Sequence, residues 1–174
     1  MSLLVTNIGS LAMPGAEFGD VQTLENAAFV VDSGVISWIG NASDAPACDE
    51  VLDAAGRAVI PGFVDSHAHL VFDGDRASEF SARMAGESYS AGGIKTTVAA
   101  TRAAGEEKLR SNIKHLVSEL HASGITHFEI KSGYGLDLET EILSLRLARE
   151  FTTDVTYLGA HVVPAGVDRE EYLK

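Results

Sequence analysis

An α/β fold is what this sequence of 174 residues predicts, on three observations. Up to residue 60 it carries short β-prone runs separated by turn formers. From Pro61 onward strand-like runs alternate with amphipathic helical ones, and the polar residues gather where those later strands end. Successive βα units imply a parallel sheet with right-handed crossovers, either an open doubly wound sheet or the start of a (β/α) barrel. A barrel needs about eight strands and typically about 250 residues, so on the barrel alternative this sequence is a piece of one.

In chain order, Leu3-Leu4-Val5, Ala28-Phe29-Val30-Val31, Val35-Ile36-Ser37-Trp38-Ile39 and Val51-Leu52 predict a small antiparallel sheet, with Asp32-Ser33-Gly34 and Asn41-Ala42-Ser43-Asp44 as turns. Val59 to His69 reads as one buried parallel strand ending in polar residues. Leu109, Ile113, Leu116, Val117 and Leu120 fall at helical spacing between Glu106 and Ser123, with Gly124 as the stop. Thr126 to Lys131 is the next strand. Asp137 caps a helix whose stripe reads Leu138, Ile142, Leu145 and Ala148, and Asp154 to Val163 is a further strand.

Charge separates the two regions. Residues 1–60 hold eight acids and one base, and residues 61–174 hold seventeen acids and twelve bases. A net charge of −12 with no offsetting basic cluster disfavours nucleic acid and anionic membrane surfaces as partners. No apolar run reaches the roughly 18 residues of a membrane span, and the first basic residue is Arg57, so no secretory leader is expected. A single cysteine, Cys48, excludes an intrachain disulfide, which suits a cytoplasmic protein.

His67-Ala68-His69 is the sharpest chemical signal. Residues i and i+2 of a strand face the same way, so both imidazoles project into one space, and imidazole is a common ligand for Zn and Fe. Standing alone, the pair is weak evidence for a metal, since surface or hydrogen-bonded histidines more often account for it. Arg76 offers a planar fork suited to a carboxylate, yet its neighbours Asp73, Asp75 and Glu79 suggest a surface ion pair. Tyr134, between Gly133 and Gly135, is either a phenolic donor or a packing residue. His161 at a strand end either donates to a carbonyl gaining negative charge or is a satisfied core histidine. Lys131 shares a strand face with Glu129 and Gly133, as a carboxylated bridging ligand or as a charge that needs a partner. His115, His121 and His127 read as structural.

The run Val59-Ile60-Pro61-Gly62-Phe63-Val64-Asp65-Ser66-His67-Ala68-His69 resembles the first barrel strand of the amidohydrolase superfamily. Together with Leu70-Val71-Phe72-Asp73-Gly74-Asp75-Arg76, Glu129-Ile130-Lys131-Ser132-Gly133-Tyr134-Gly135-Leu136 and Leu158-Gly159-Ala160-His161, it is similar to the imidazolonepropionase family over essentially the whole chain. The resemblance implies an α/β fold in which residues 1–60 form part of a small β-sandwich built from both chain ends. Residues 61–174 would then be the first strands and helices of an amidohydrolase-type (β/α)8 TIM barrel.

It further implies one divalent or trivalent metal ion, Zn or Fe, with His67 and His69 as ligands. Arg76, Tyr134 and His161 match substrate-contacting positions, with His161 also catalytic, and Lys131 is left as the paired charge. The implied reaction opens the ring of 4-imidazolone-5-propanoate with water to give N-formimidoyl-L-glutamate, in histidine degradation. In the family the other ligands, a His and an Asp, and an acid/base Glu lie on later strands, so a longer, homodimeric, cytoplasmic chain acting on a small molecule is expected. The stretch Ser88-Tyr89-Ser90-Ala91-Gly92-Gly93 is shorter than the equivalent loop of some family members. Another cyclic amidohydrolase or deaminase, and a noncatalytic metal-binding or interaction fragment, are the alternatives.

Overall fold

The computed structural model describes residues 1–86, 93–164 and 166–174. Residues 88–92, where the shortened loop is expected, lie outside the described residues. The chain divides into two compact units, Met1–Pro61 and Gly62–Lys174.

The first unit is a sheet of β1 (Ser2–Pro14), β2 (Val21–Asp32), β3 (Val35–Asn41), β4 (Glu50–Asp53) and β5 (Ala58–Val59). It is mixed rather than antiparallel. β1 pairs antiparallel with β2, but β4 and β5 run parallel to β1, beside Leu3–Thr6 and Ser10–Leu11. The parallel return arises because residues 42–49 carry the chain back to the start of β1, where Asp49 accepts the Ser2 backbone N–H at 2.7 Å. The β2–β3 hairpin closes through Ser33 and Gly34, with φ of 52° and 79°, the left-handed pair that a tight hairpin turn requires. Val5, Ile8, Leu11 and Ala27 are buried in one apolar cluster, and Leu4, Ala28 and Val30 in another that includes Trp38.

The second unit holds a parallel sheet in the order β6 (Phe63–Ala68), β7 (Ile125–Lys131), β8 (Val155–Thr156). Its helices are α1 (Ala77–Met84), α2 (Ile94–Ala103), α3 (Glu106–Ala122), α4 (Leu138–Ala148) and α5 (Arg169–Tyr172). The core joins Leu70, Val71, Leu109, Ile113, Phe128, Ile130, Leu147 and Ala148, with Leu116, Val117 and Leu120 of α3 packed against it. The α3 stripe is thus the one the periodicity predicts, and Gly124 ends that helix at φ 84°.

Three elements differ from expectation. The single strand over residues 59–69 is two strands in two sheets. Pro61 donates no backbone N–H, and a Cβ on Gly62 would fall 2.0 Å from Thr126 Oγ1, so β5 ends at Val59 and β6 starts at Phe63. β6 is also an edge strand, with Phe63 57% and Val64 65% exposed, rather than a buried one.

The third strand stops at Thr156, because Leu158 N–H then turns to the Ser132 hydroxyl (3.2 Å) and Ala160 adopts φ 57°. His161 therefore lies on a loop.

In α4 the buried face is Glu141, Ser144, Leu147 and Ala148, whereas Leu138 and Ile142 are 77% and 56% exposed. The helix is rotated from its apolar stripe because the Glu141 carboxylate is drawn inward by two backbone N–H groups of the preceding loop. Asp137 caps the helix as expected, accepting Thr140 N–H at 2.8 Å.

An ion cluster ties α3 to the end of α4. Arg110 makes a fork to Glu150 (2.7 and 3.0 Å) and reaches Glu106 at 2.6 Å. Those hydrogen bonds hold the Glu106 and Glu150 carboxyls below their ordinary range. A carboxyl with a depressed folded pKa stabilises fully above the unfolded value, about 4.3 for Glu, and loses that contribution as pH falls through the folded value. Arg110→Met is therefore expected to melt lower than the parent at pH 7. The gap should close on acidification below about pH 4, as thermal melts across that range would show; a gap independent of pH would remove the ionic account.

Candidate active site

Four of the residues singled out by sequence converge at the ends of β6 and β7. His67 is the penultimate residue of β6 and His69 lies just beyond it, and their ring centroids are 5.3 Å apart. The ring of Tyr134 lies 5.3 Å from that of His69 and 5.9 Å from that of Phe72. His161 reaches back to the loop after β7, its Nε2 placed 2.8 Å from the Gly133 carbonyl oxygen. A carbonyl only accepts, so Nε2 carries the hydrogen and Nδ1 is the ring atom left for other chemistry. Gly133 has φ 127°, and a Cβ there would come 2.8 Å from Leu158 O and 2.9 Å from His161 Nε2, so only glycine permits this approach.

The electrostatics favour a neutral His69. Burial lowers its pKa first, then the electrostatic influence of His67, His161 and Lys131, against a smaller opposite effect of the Ser132 backbone. Its Nδ1 is buried and makes no hydrogen bond. Lys131 has the partner its burial demands: Nζ donates to Glu129 Oε1 at 2.6 Å, and the side chains are only 14% and 20% exposed. Glu129 also accepts from the Thr156 hydroxyl, and these two bonds hold its carboxyl below the ordinary range.

Arg76 is placed by a different element, at the start of α1. Its Nε donates to Glu79 Oε2 at 3.3 Å and the side chain is 44% exposed, so the surface ion pair that its neighbours suggest does form. It nevertheless lines a cavity of about 500 Å³ with Phe72, Gly74, Phe80, Thr97 and Tyr134. Tyr134 thus borders both the histidine pair and the cavity that holds Arg76.

The remaining histidines have local partners. His115 pairs with Glu119 at 3.5 Å, His127 with Asp154 at 2.6 Å, and His121 packs on Phe128.

The residue types at the histidine pair fit a metal centre. Two imidazoles stand at one strand end, and His69, buried with an unpartnered ring nitrogen and its pKa lowered, favours the neutral form a metal binds. The pair alone does not complete such a centre: among the described residues no group of three or more His, Cys, Asp or Glu could hold an ion.

Sequence reasoning missed the residues that fix the loop carrying Tyr134. Arg102 Nε donates to Gly135 O at 2.6 Å and pairs with Asp137 at 2.7 Å, and Glu141 accepts the N–H groups of Gly135 and Leu136. The one signal available in the sequence was the acidic residue four positions after the Asp137 cap.

Comparison with known proteins agrees with this picture. Residues 50–108 match the Amidohydrolase family. The chain is 57% identical over 165 residues to "Imidazolonepropionase" of Mycolicibacterium smegmatis, covering 94% of this chain and 42% of that one. It is 53% identical over 171 residues to "Imidazolonepropionase" of Paenarthrobacter aurescens, covering 98% and 41%. The chain therefore spans about two-fifths of the length of these curated relatives.

Among solved structures, E. coli guanine deaminase superposes with a TM-score of 0.64 at 15% identity, covering 95% of this chain and 39% of that one. Atrazine chlorohydrolase from Arthrobacter aurescens, complexed with zinc, does so at 0.56 and 18%, covering 90% and 35%. These structures share the fold. By these measures the chain is similar to part of the imidazolonepropionases, and its residues 50–108 match the amidohydrolase family.

Proposed function

We propose that this chain is part of a metal-dependent hydrolase that opens the ring of 4-imidazolone-5-propanoate with water, giving N-formimidoyl-L-glutamate in histidine degradation. One observation carries the reading. In a chain 57% identical to an imidazolonepropionase, Tyr134 stands between the His67–His69 pair and the cavity lined by Arg76. A reacting centre at the histidines and a carboxylate at Arg76 would be two ends of one substrate.

His67 and His69 would hold a single Zn or Fe ion, whose chemistry when bound is to lower the pKa of water towards neutrality and polarise a carbonyl. Arg76 would take the propionate carboxylate in its guanidinium fork, exchanging Glu79 for the substrate. Tyr134 would donate its phenolic hydrogen to the ring or carboxylate. His161, with Nε2–H held by Gly133, would act on the substrate carbonyl through Nδ1, as a donor when the ring is protonated. The Glu129–Lys131 pair supports one metal rather than two, because it occupies the lysine as a cation.

The unit Met1–Pro61 would be part of a β-sandwich and Gly62–Lys174 the opening of the (β/α)8 barrel. Among the described residues no helix is long and apolar enough to cross a membrane. The net charge and single cysteine support a cytoplasmic enzyme without nucleic-acid or membrane partners, and the family resemblance supports a homodimer.

The test is turnover of imidazolonepropionate by the full-length protein loaded with Zn or Fe, beside hydantoin-like and aminated rings. Selective turnover of imidazolonepropionate is expected. A folded, metal-loaded protein that leaves it untouched, or prefers another ring, would sink the proposal.

A further inference from the structure

The loop from Ser132 to Asp137 joins β7 to α4 and carries Tyr134. Ser132, Gly133, Gly135 and Leu136 are buried, although the segment has no helical or sheet ladder of its own to satisfy its backbone. Its polar groups are met one by one from outside. Ser132 N–H donates to Thr156 O at 3.0 Å, Gly133 O is met by His161, and Gly135 O accepts from Arg102. The N–H groups of Gly135 and Leu136 both converge on Glu141 Oε1, each at 2.8 Å.

Glu141 is an unusual residue to find there. It is 2% exposed in a helix whose neighbouring inward positions are Ser144, Leu147 and Ala148, and its second oxygen, Oε2, is buried with no hydrogen-bond partner. A carboxylate taken out of water at that cost needs a gain elsewhere. The gain visible in the structure is the conformation of the loop. Leu136 is held at φ 54°, a left-handed value that a leucine rarely adopts, and its N–H is one of the two that Glu141 receives. Gly135 fits only as glycine, since a Cβ would lie 2.8 Å from Thr140 Cβ and 2.9 Å from Glu141 N.

The geometry points to Glu141 as a positioning residue: by gathering the N–H groups of Gly135 and Leu136 onto one oxygen it sets the path of the loop, and so keeps the Tyr134 ring between His69 and the Arg76 cavity. What Glu141 supplies is the acceptor rather than the charge. The effect on substrate runs through Tyr134, so the inference rests on the function proposed above.

Steady-state kinetics on the full-length, metal-loaded protein test it with Glu141→Met, Glu141→Gln and Tyr134→Phe. Methionine fills the volume without an acceptor, and glutamine restores the acceptor without the charge. Glu141→Met is expected to raise KM for imidazolonepropionate about tenfold or more, with metal content unchanged, the scale of losing the two hydrogen bonds that one buried acceptor receives. Glu141→Gln should return KM to within about threefold of the parent. Combining Glu141→Met with Tyr134→Phe should add little to the larger single effect.

A Glu141→Met protein that melts lower yet keeps the parental KM, while Tyr134→Phe raises it, overturns the inference and leaves the substrate role of Tyr134 standing. Parental KM in Tyr134→Phe instead removes that role, and the inference with it. Should Glu141→Met not fold, hydrogen exchange at the Gly135 and Leu136 amides decides. Strong protection kept in Glu141→Gln supports the acceptor role, and loop-like exchange of both amides in the parent overturns it.

Discussion

Replacing His67 with alanine is expected to strip the metal from the full-length protein and take turnover to background. The ring centroids of the two imidazoles at the end of one strand are 5.3 Å apart, and His69 is held towards its neutral form by burial first and then by its neighbours His67, His161 and Lys131. A catalytic centre of this kind uses about three protein ligands and one open position, so losing one ligand leaves too few to retain the ion. Altering a residue that merely orients a ligand already costs about 10- to 100-fold in affinity, and losing a ligand should exceed that. Metal stoichiometry of the purified variant, measured beside its circular dichroism spectrum, checks this. A folded His67→Ala protein with a full metal complement would end the assignment of His67 as a ligand.

Arg76→Met should leave metal and fold in place and weaken substrate binding by about 1.5–3 kcal/mol, the range for hydrogen bonds to charged groups, which raises KM by about one to two orders of magnitude. Methionine keeps most of the apolar stem along the cavity wall and removes the fork. The ion pair with Glu79 makes the prediction specific. It is an exposed i, i+3 pair and is worth little to stability, so the variant's melting temperature should hardly move. The substrate's carboxylate is what the fork would hold, so a decarboxylated analogue should lose its discrimination between parent and variant. Unchanged KM would leave Arg76 as the surface ion pair alone.

Much of the architecture follows from local patterning. The α3 stripe, the Asp137 cap, the Ser33-Gly34 turn and the strand read over Thr126 to Lys131, which begins one residue earlier at Ile125, were legible because each is specified by neighbours within a few positions. The departures share a cause, in that a distant contact outbids the local pattern. Leu138 and Ile142 carry the apolar stripe of α4, yet the helix turns Glu141 inward to meet two N–H groups of the loop before it. The strand after residue 154 has the composition to continue, yet its backbone leaves the ladder at Thr156 for the Ser132 hydroxyl. The Val51-Leu52 run reads as a member of an antiparallel sheet, yet β4 lies parallel to β1.

The candidate site divides in the same way. Motif residues at strand ends named His67, His69, Tyr134 and His161, because alternation along a strand and the position of its end are properties of sequence. Their mutual geometry was beyond it: the approach of His161 to Gly133, the Tyr134 ring on His69, and the shared cavity with Arg76 each join residues from different elements. By itself the sequence determined the α/β class, the change of character near Pro61 and the identity of the chemical groups, since each is written in a few adjacent residues. Only the tertiary structure decided which face α4 buries, where the third strand stops and what holds the Tyr134 loop. Those outcomes depend on satisfying buried backbone polar groups with partners from elsewhere in the chain, and no local pattern records which partner arrives.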